Sequence, residues 1–310
     1  MKSFYLILLL MVSQLMPSLA NAEEPDTLWF FQPRLTTGMM LYEFEYAFTA
    51  PGAEPRKLQF DDYMPFVGGG ATLAYDNCLT DFYYQRSVVA GKDGGAEIRD
   101  TESVLNKADN EFDRKDYALT FGCEVTKNLS LFAGYKVGKT DIQMVTRRYW
   151  LGDRIDDSRT GNTDFKSKGP FIGVAYSHPI GSSNEKGHKK GQLGFKLAVT
   201  KLEAEYAQLN TTIRNNKAVG DGAKTINVDD WSLLGDTISW TAGVNWTAPI
   251  YNKHFSYRFS LDYYNYDFDI DSAYVIRNGE TQPINILGGG MNYDLKETMY
   301  TFQMQLLYQF

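Results

Sequence analysis

From Thr298 to Phe310 the chain alternates without a break. Thr298, Tyr300, Phe302, Met304, Leu306, Tyr308 and Phe310 fall on one face, and Met299, Thr301, Gln303, Gln305, Leu307 and Gln309 on the other. Extended backbone points successive side chains to opposite sides, so a repeat of two residues marks a strand. One face of this strand is aromatic and apolar; the other is mostly amide and hydroxyl. An apolar face of this kind has to be covered by a core or by lipid. Nine further segments carry the same pattern: Trp29–Phe48, Phe66–Tyr75, Thr80–Ala90, Arg114–Val125, Leu129–Met144, Pro170–His178, Gln192–Tyr206, Thr237–Thr247 and Tyr257–Ile270. With Glu297–Phe310 they make ten strands, and the chain reads as all-β.

The connections alternate in length. Residues 49–65, 91–113, 145–169, 207–236 and 271–296 form longer polar loops, and Asp76–Leu79, Thr126–Asn128, 179–191 and 248–256 form shorter turns. This predicts an up-and-down antiparallel barrel with both termini at the end that carries the turns. Composition agrees. Mean hydropathy is −0.36, yet 15% of the chain is aromatic, with 21 Tyr and 19 Phe. Strands that alternate lipid-facing and lumen-facing residues produce that combination. After the first residues no apolar run approaches the ~18 that a membrane helix needs. Lys2, the apolar stretch Phe4–Val12 and the triplet Ala20-Asn21-Ala22 predict a cleaved signal peptide over 1–22, leaving 23–310 as a single barrel domain. A net charge of −7 speaks against nucleic acid as a partner.

This layout resembles the outer-membrane β-barrel proteins of Gram-negative bacteria, and is similar to ten-stranded members such as the omptin proteases. Its local motif is the terminal strand ending on Phe310, with Tyr308 before it. The resemblance implies an outer-membrane location after export, contact with membrane lipid and lipopolysaccharide, and a last strand that the barrel-assembly machinery reads. Aromatic residues near the strand ends suit girdles at the two bilayer interfaces. Trp29, Phe30, Tyr75, Tyr176, Trp246, Tyr257 and Phe310 would form one, and Tyr42, Tyr46, Tyr206, Tyr266 and Tyr300 the other.

Parity places Arg34, Lys136, Lys196 and Arg258 inside, with Asp81, Asp116, Glu124 and Asp262. Opposite charges in a narrow interior should pair, because an isolated charge there is costly to desolvate. Two readings stay open: a salt-bridge network that plugs the lumen, and a charged constriction that selects small solutes. Towards the loop ends three strands exchange their apolar and polar faces. Strand one does so after Leu41, where Tyr42, Phe44 and Tyr46 replace Leu35, Met39 and Leu41 as the outward set; the others change near Lys201 and at Tyr263-Tyr264. A slip of one residue predicts a β-bulge at each point. Beyond it the polar face is acidic, with Glu43, Glu45, Glu203, Glu205, Asp267 and Asp269, and reads as a solvated wall above the bilayer.

Catalytic patterns are absent from the sequence. Enzymes of the resembled class mostly use a histidine near the outer rim or lipid-facing wall, and His178, His188 and His254 all fall at or in the turns. There is no Gly-x-Ser-x-Gly elbow and no HExxH. The segment 267–271, DFDID, lacks the glycine and trailing glutamate of a calcium loop. No catalysis, cofactor or metal is therefore expected. Cys78 and Cys123 lie on neighbouring strands near one rim, where an oxidising compartment permits a disulfide, although spacing leaves the geometry open. Arg147, Arg148, Tyr149, Trp150 and Arg154 make the 145–169 loop a candidate recognition surface for an unnamed extracellular ligand or for lipopolysaccharide phosphates. A structural or surface role is the favoured function, with a narrow pore as the alternative and a barrel enzyme third.

Overall fold

Strand length sets this architecture. The computed structural model describes residues 29–49, 56–88, 105–149, 157–180, 191–215, 224–250, 254–277, 280–284 and 292–310. The expected signal peptide lies outside them. The strands are β1 (Trp29–Thr49), β2 (Arg56–Tyr75), β3 (Cys78–Ser87), β4 (Leu105–Thr126), β5 (Leu129–Tyr149), β6 (Asp157–Pro179), β7 (Gln192–Asn215), β8 (Lys224–Pro249), β9 (Phe255–Arg277), β10 (Glu280–Ile284) and β11 (Asn292–Tyr308). Each of β1 to β9 pairs antiparallel with the next, β11 pairs with β9, and β11 closes on β1. The short β10 pairs with the far end of β9 and so continues the position of β11. The result is a closed antiparallel barrel of ten positions.

A tilted strand crosses a bilayer in about 9–11 residues. Here β2 has 20 residues, β7 has 24 and β8 has 26. The barrel is therefore about twice as tall as a membrane demands. Most of what reads as long polar loop is strand: 207–236 shrinks to a connection between Asn215 and Lys224, and 145–169 to one between Tyr149 and Asp157. At the other end the β2–β3 turn is only Asp76-Asn77, with Asp76 at φ 52°, a left-handed conformation that Asp tolerates better than most residues. We call the end with these short turns and both described termini the lower end.

The two halves are built inside out relative to each other. On β1 the even-numbered residues from Phe30 to Tyr46 point inward throughout. In the lower half they are Gln32, Arg34 and Thr36; in the upper half they are Tyr42, Phe44 and Tyr46, all buried. The odd, outward residues run the opposite way, from Phe31, Leu35 and Met39 to Glu43 and Glu45. An apolar outer belt surrounds the lower half, where Leu35 is 68% exposed and Ile238 77%. Exposed large apolar side chains in such number are what a lipid solvent requires.

This inversion corrects two sequence readings. The pairing of β1 runs from Arg34 to Thr49 against β11 and from Trp29 to Phe48 against β2 without a shift, so there is no bulge after Leu41. Strand β7 likewise keeps its parity through Lys201, and β9 through Tyr263-Tyr264. The bulges lie elsewhere: in β9 at Asp271, opposite Leu234 and Gly235, and in β4 between Glu124 and Thr126. The upper aromatic girdle also changes membership. Tyr42, Tyr46, Tyr206 and Tyr266 are core residues. The outward ring at that height is Tyr63, Tyr84, Tyr117, Tyr135, Trp240 and Tyr300. Tyr263 joins it, its ring centroid 5.0 Å from both Trp240 and Tyr300. Of the proposed lower girdle, Trp29, Tyr75, Tyr176, Trp246 and Phe310 are exposed, while Phe30 turns inward.

Candidate functional site

The lumen is stacked in three layers. The top layer is apolar. In the ten-position ring β1 lies opposite β6, and Phe44 and Phe165 meet across it with ring centroids 5.3 Å apart. Phe44 also stacks on Tyr206 at 5.9 Å, Tyr46 on Tyr206 at 5.3 Å, and Phe165 meets Phe268 edge-on at 5.5 Å. Met40, Phe112, Ile142, Leu202, Leu233 and Leu295 belong to the same cluster. Side chains of β1, β6, β7 and β9 thus meet in the lumen and close the barrel as they would close a water-soluble one.

Below this core sits a buried ion cluster. Arg114 on β4 reaches across the lumen to Glu297 on β11, and their side chains are 3% and 0% exposed. Its fork takes Asp116 at both ends, Nε to Oδ2 at 3.0 Å and Nη2 to Oδ1 at 2.8 Å, while Nη1 donates to Thr140 Oγ1 at 2.8 Å. The Tyr42 ring lies 5.1 Å from the guanidinium carbon. Gly138 makes room for it, since a Cβ there would stand 2.9 Å from Arg114 Nη2. Satisfying so many donors is what makes a buried guanidinium tolerable.

The lowest layer is a cavity of about 580 Å³, lined by polar and apolar side chains together, that reaches the rim at Asp76 and Asn77. Arg34 pairs with Asp81 at 2.5 and 2.8 Å, with Thr72 bridging the two. Lys196 pairs with Asp262 at 2.9 Å, and Gln303 donates to the other Asp262 oxygen at 2.7 Å. Lys136 reaches across to the Tyr266 hydroxyl and sits over the rings of Tyr264 and Tyr266 at 5.0 and 4.3 Å. Arg258 donates from Nε to Thr247 at 3.0 Å.

One solved structure overlays this molecule closely. The outer membrane protease OmpT from Escherichia coli aligns over 94% of this chain and 99% of its own, with a TM-score of 0.69 at 11% identity. The fold is that of the outer-membrane β-barrels. OprG from Pseudomonas aeruginosa, at TM-score 0.36 and 11% identity over 90% of this chain and 95% of its own, overlays too loosely to add to this. No protein-family model and no curated protein matches the sequence.

Within this outer-membrane-type barrel, the sequence-derived residues separate. Arg34, Asp81, Lys136, Lys196, Arg258 and Asp262 lie in or beside the lower cavity, whereas Asp116 belongs to the ion cluster. Glu124 is exposed where the lower cavity meets the rim, away from that cluster. Parity reading missed two deeply buried charges, Arg114 and Glu297. Both stood at the first position of a predicted strand, and both carry the inward parity of Asp116 and Met299. Carrying the parity to the first residue of each predicted strand would have placed them inside.

Cys78 and Cys123 are disulfide-bonded, face to face in the β3–β4 register, with Cα atoms 4.0 Å apart. Tyr308 pairs with Phe255 on β9, and the Phe310 N–H donates to the Phe31 carbonyl at 3.0 Å, which ties the last residue to β1. His178 pairs with Leu193 near the lower end, and His254 Nδ1 lies 3.0 Å from the Gln309 carbonyl, also at the lower end; His188 lies outside the described residues. The candidate recognition loop is not one loop. Arg147, Arg148 and Tyr149 are the last residues of β5, paired with β4 and, for the two arginines, β6, and Trp150 and Arg154 lie outside the described residues.

Outside, just above the belt, charges pair from strand to strand. Arg86 bonds Asp113 at 2.7 Å, Lys115 lies 3.2 Å from Asp113 and 3.8 Å from Asp141, and Lys139 bonds Asp141 at 2.8 Å. The series continues through Lys168–Glu203 at 3.7 Å and Lys201–Asp236 at 3.6 Å. Although burial opposes it, hydrogen bonds from Arg86 and Lys115 hold the Asp113 carboxyl below the usual range. Asp164, in register with Asp141, is pushed up, because Asp141 hydrogen-bonds its protonated form and burial adds to the effect.

Proposed function

We propose that this chain is a non-catalytic outer-membrane barrel of a Gram-negative bacterium, closed to conduction, whose projecting wall serves a structural or surface-interaction role. The observation that carries the reading is the Phe44–Phe165 contact across the lumen, inside a core that spans the upper half. A path for solutes would have to pass that layer and then the Arg114–Glu297 ion pair beneath it. In this reading Tyr308 and Phe310 form the end read by the barrel-assembly machinery. Lys115, Lys139, Lys168 and Lys201 stand at the height where lipid and lipopolysaccharide headgroups would lie.

The test is single-channel recording of the refolded protein in a planar bilayer, with folding checked by heat-dependent gel mobility. The closed reading expects a silent trace from folded barrel. Discrete, reproducible steps that shift with Lys136→Glu would overturn it in favour of a narrow pore. Proteolytic activity abolished by substituting a histidine would favour an enzyme instead.

A further inference from the structure

Cations and carboxylates are unevenly placed in the lower cavity: Asp81 and Asp262 stand among its cations, while Asp76 and Glu124 lie exposed at its rim. Arg34, Lys136, Lys196 and Arg258 all line it. Two of these have carboxylate partners, Arg34 in Asp81 and Lys196 in Asp262. Lys136 has tyrosine rings and a hydroxyl instead. Arg258 spends only its Nε, on the Thr247 hydroxyl; among the described residues its two terminal nitrogens have no protein partner. A guanidinium is a planar fork built for two parallel bonds to one carboxylate. The fork faces a cavity that opens at the rim, where an anion can take it in exchange for water.

The opposite wall has a different character. Phe132 on β5 and Phe171 on β6 line the same cavity and meet edge-on at 6.1 Å. Their rings stand against glycines, since a Cβ at Gly134 would lie 2.4 Å from Phe171 and one at Gly173 would lie 2.4 Å from Phe132. In the ring of ten positions β5 and β6 face β11 and β1, next to the strand that carries Arg258. Ligand pockets with an apolar wall and a few fixed polar groups typically enclose about 300–1,000 Å³, and this one encloses about 580 Å³.

We infer that the lower cavity binds a small organic anion, its carboxylate on the Arg258 fork and its apolar body against Phe132 and Phe171. Lys136, held by a tyrosine hydroxyl and two rings, supplies a second positive group. The site opens at the lower end and ends blindly under Arg114, so it is a receptor cup and not a passage. The inference stands independently of the role given to the outer wall.

Isothermal titration calorimetry on the protein refolded in detergent micelles tests it, with benzoate, benzyl alcohol and inorganic phosphate as probes. Benzoate should bind saturably at one site, and more tightly than the other two. Arg258→Gln should weaken benzoate by about tenfold or more, the loss expected for a hydrogen bond to a charged group. Arg258→Lys, which keeps the charge and loses the fork, should fall between, and Phe171→Ala should weaken benzoate more than phosphate. Each variant is first shown to be folded by gel mobility. Unchanged benzoate affinity in folded Arg258→Gln overturns the proposal, as does the absence of saturable heat in the folded wild type. Benzyl alcohol binding as well as benzoate removes the anion from it, and phosphate binding with benzoate silent removes the apolar body.

Discussion

Arg114 is the residue on which the two storeys of the lumen meet. Above it lies the Tyr42 ring, and around it stand Asp116, Thr140 and Glu297. Breaking a buried ion pair from one side leaves a charge with no water and no partner, at a cost of about 3–5 kcal/mol. Arg114→Leu should therefore lower stability by about that much in a urea titration followed by gel mobility. The double variant Arg114→Leu with Glu297→Leu should lose much less than the sum of its single changes. This pair shows where reading the sequence stops. The inward parity of Arg114 and Glu297 is visible in the chain, but their partnership crosses 183 residues and the full width of the barrel. Alternation tells which way a side chain points; it says nothing about what it meets on the other side. At the outer wall Asp164 offers a pH-dependent counterpart. Its raised carboxyl pKa means that the native state binds a proton more readily than the unfolded chain does. The ionised form thus destabilises the fold at neutral pH, and the penalty is lifted as pH falls through the raised value. Asp164→Asn should be slightly more stable than the wild type at pH 7 and indistinguishable from it near pH 3, the effect being small because the side chain is 61% exposed.

At the scale of strands, β3 and β4 carry the one covalent staple. The Cys78–Cys123 bond closes a loop of 45 residues, and chain-entropy arguments place the stabilisation from such a loop at about 4 kcal/mol. Dithiothreitol, or Cys78→Ser with Cys123→Ser, should lower the temperature of the heat-induced gel shift without moving the β3–β4 register. Strand existence was legible in period two, because each side chain on an extended chain must choose a face, and the up-and-down order was legible in the alternation of long and short connections. Strand length was not. In the lower half the outside is lipid and the inside polar; in the upper half the outside is water and the inside aromatic. A polarity pattern records only which face is apolar, so on β1 a change of solvent after Leu41 looks like a slip of the backbone. The true bulge at Asp271 falls where Asp269, Ile270 and Ser272 give no clear alternation, and so it leaves no trace in the pattern.

For the whole molecule, closure rests on the aromatic layer. Truncating a buried ring in such a layer costs about 3–5 kcal/mol, so one removal is affordable to the fold and several are not. Phe44→Ala combined with Lys136→Glu should still refold, more weakly, and should show conductance only if the ion cluster beneath has also parted; the wild type should stay silent. Dependence on the surroundings follows from strands of 20 to 26 residues that outrun the bilayer. The lower belt is matched to hydrocarbon, which solvates an unfolded apolar side chain as well as a folded one, so it gains little from hiding there. The upper core is matched to water, and only its melting exposes apolar surface to water and raises the heat capacity. Calorimetry should find the curvature of stability with temperature coming from the half outside the membrane. A change of lipid chain length or detergent should shift the other half alone.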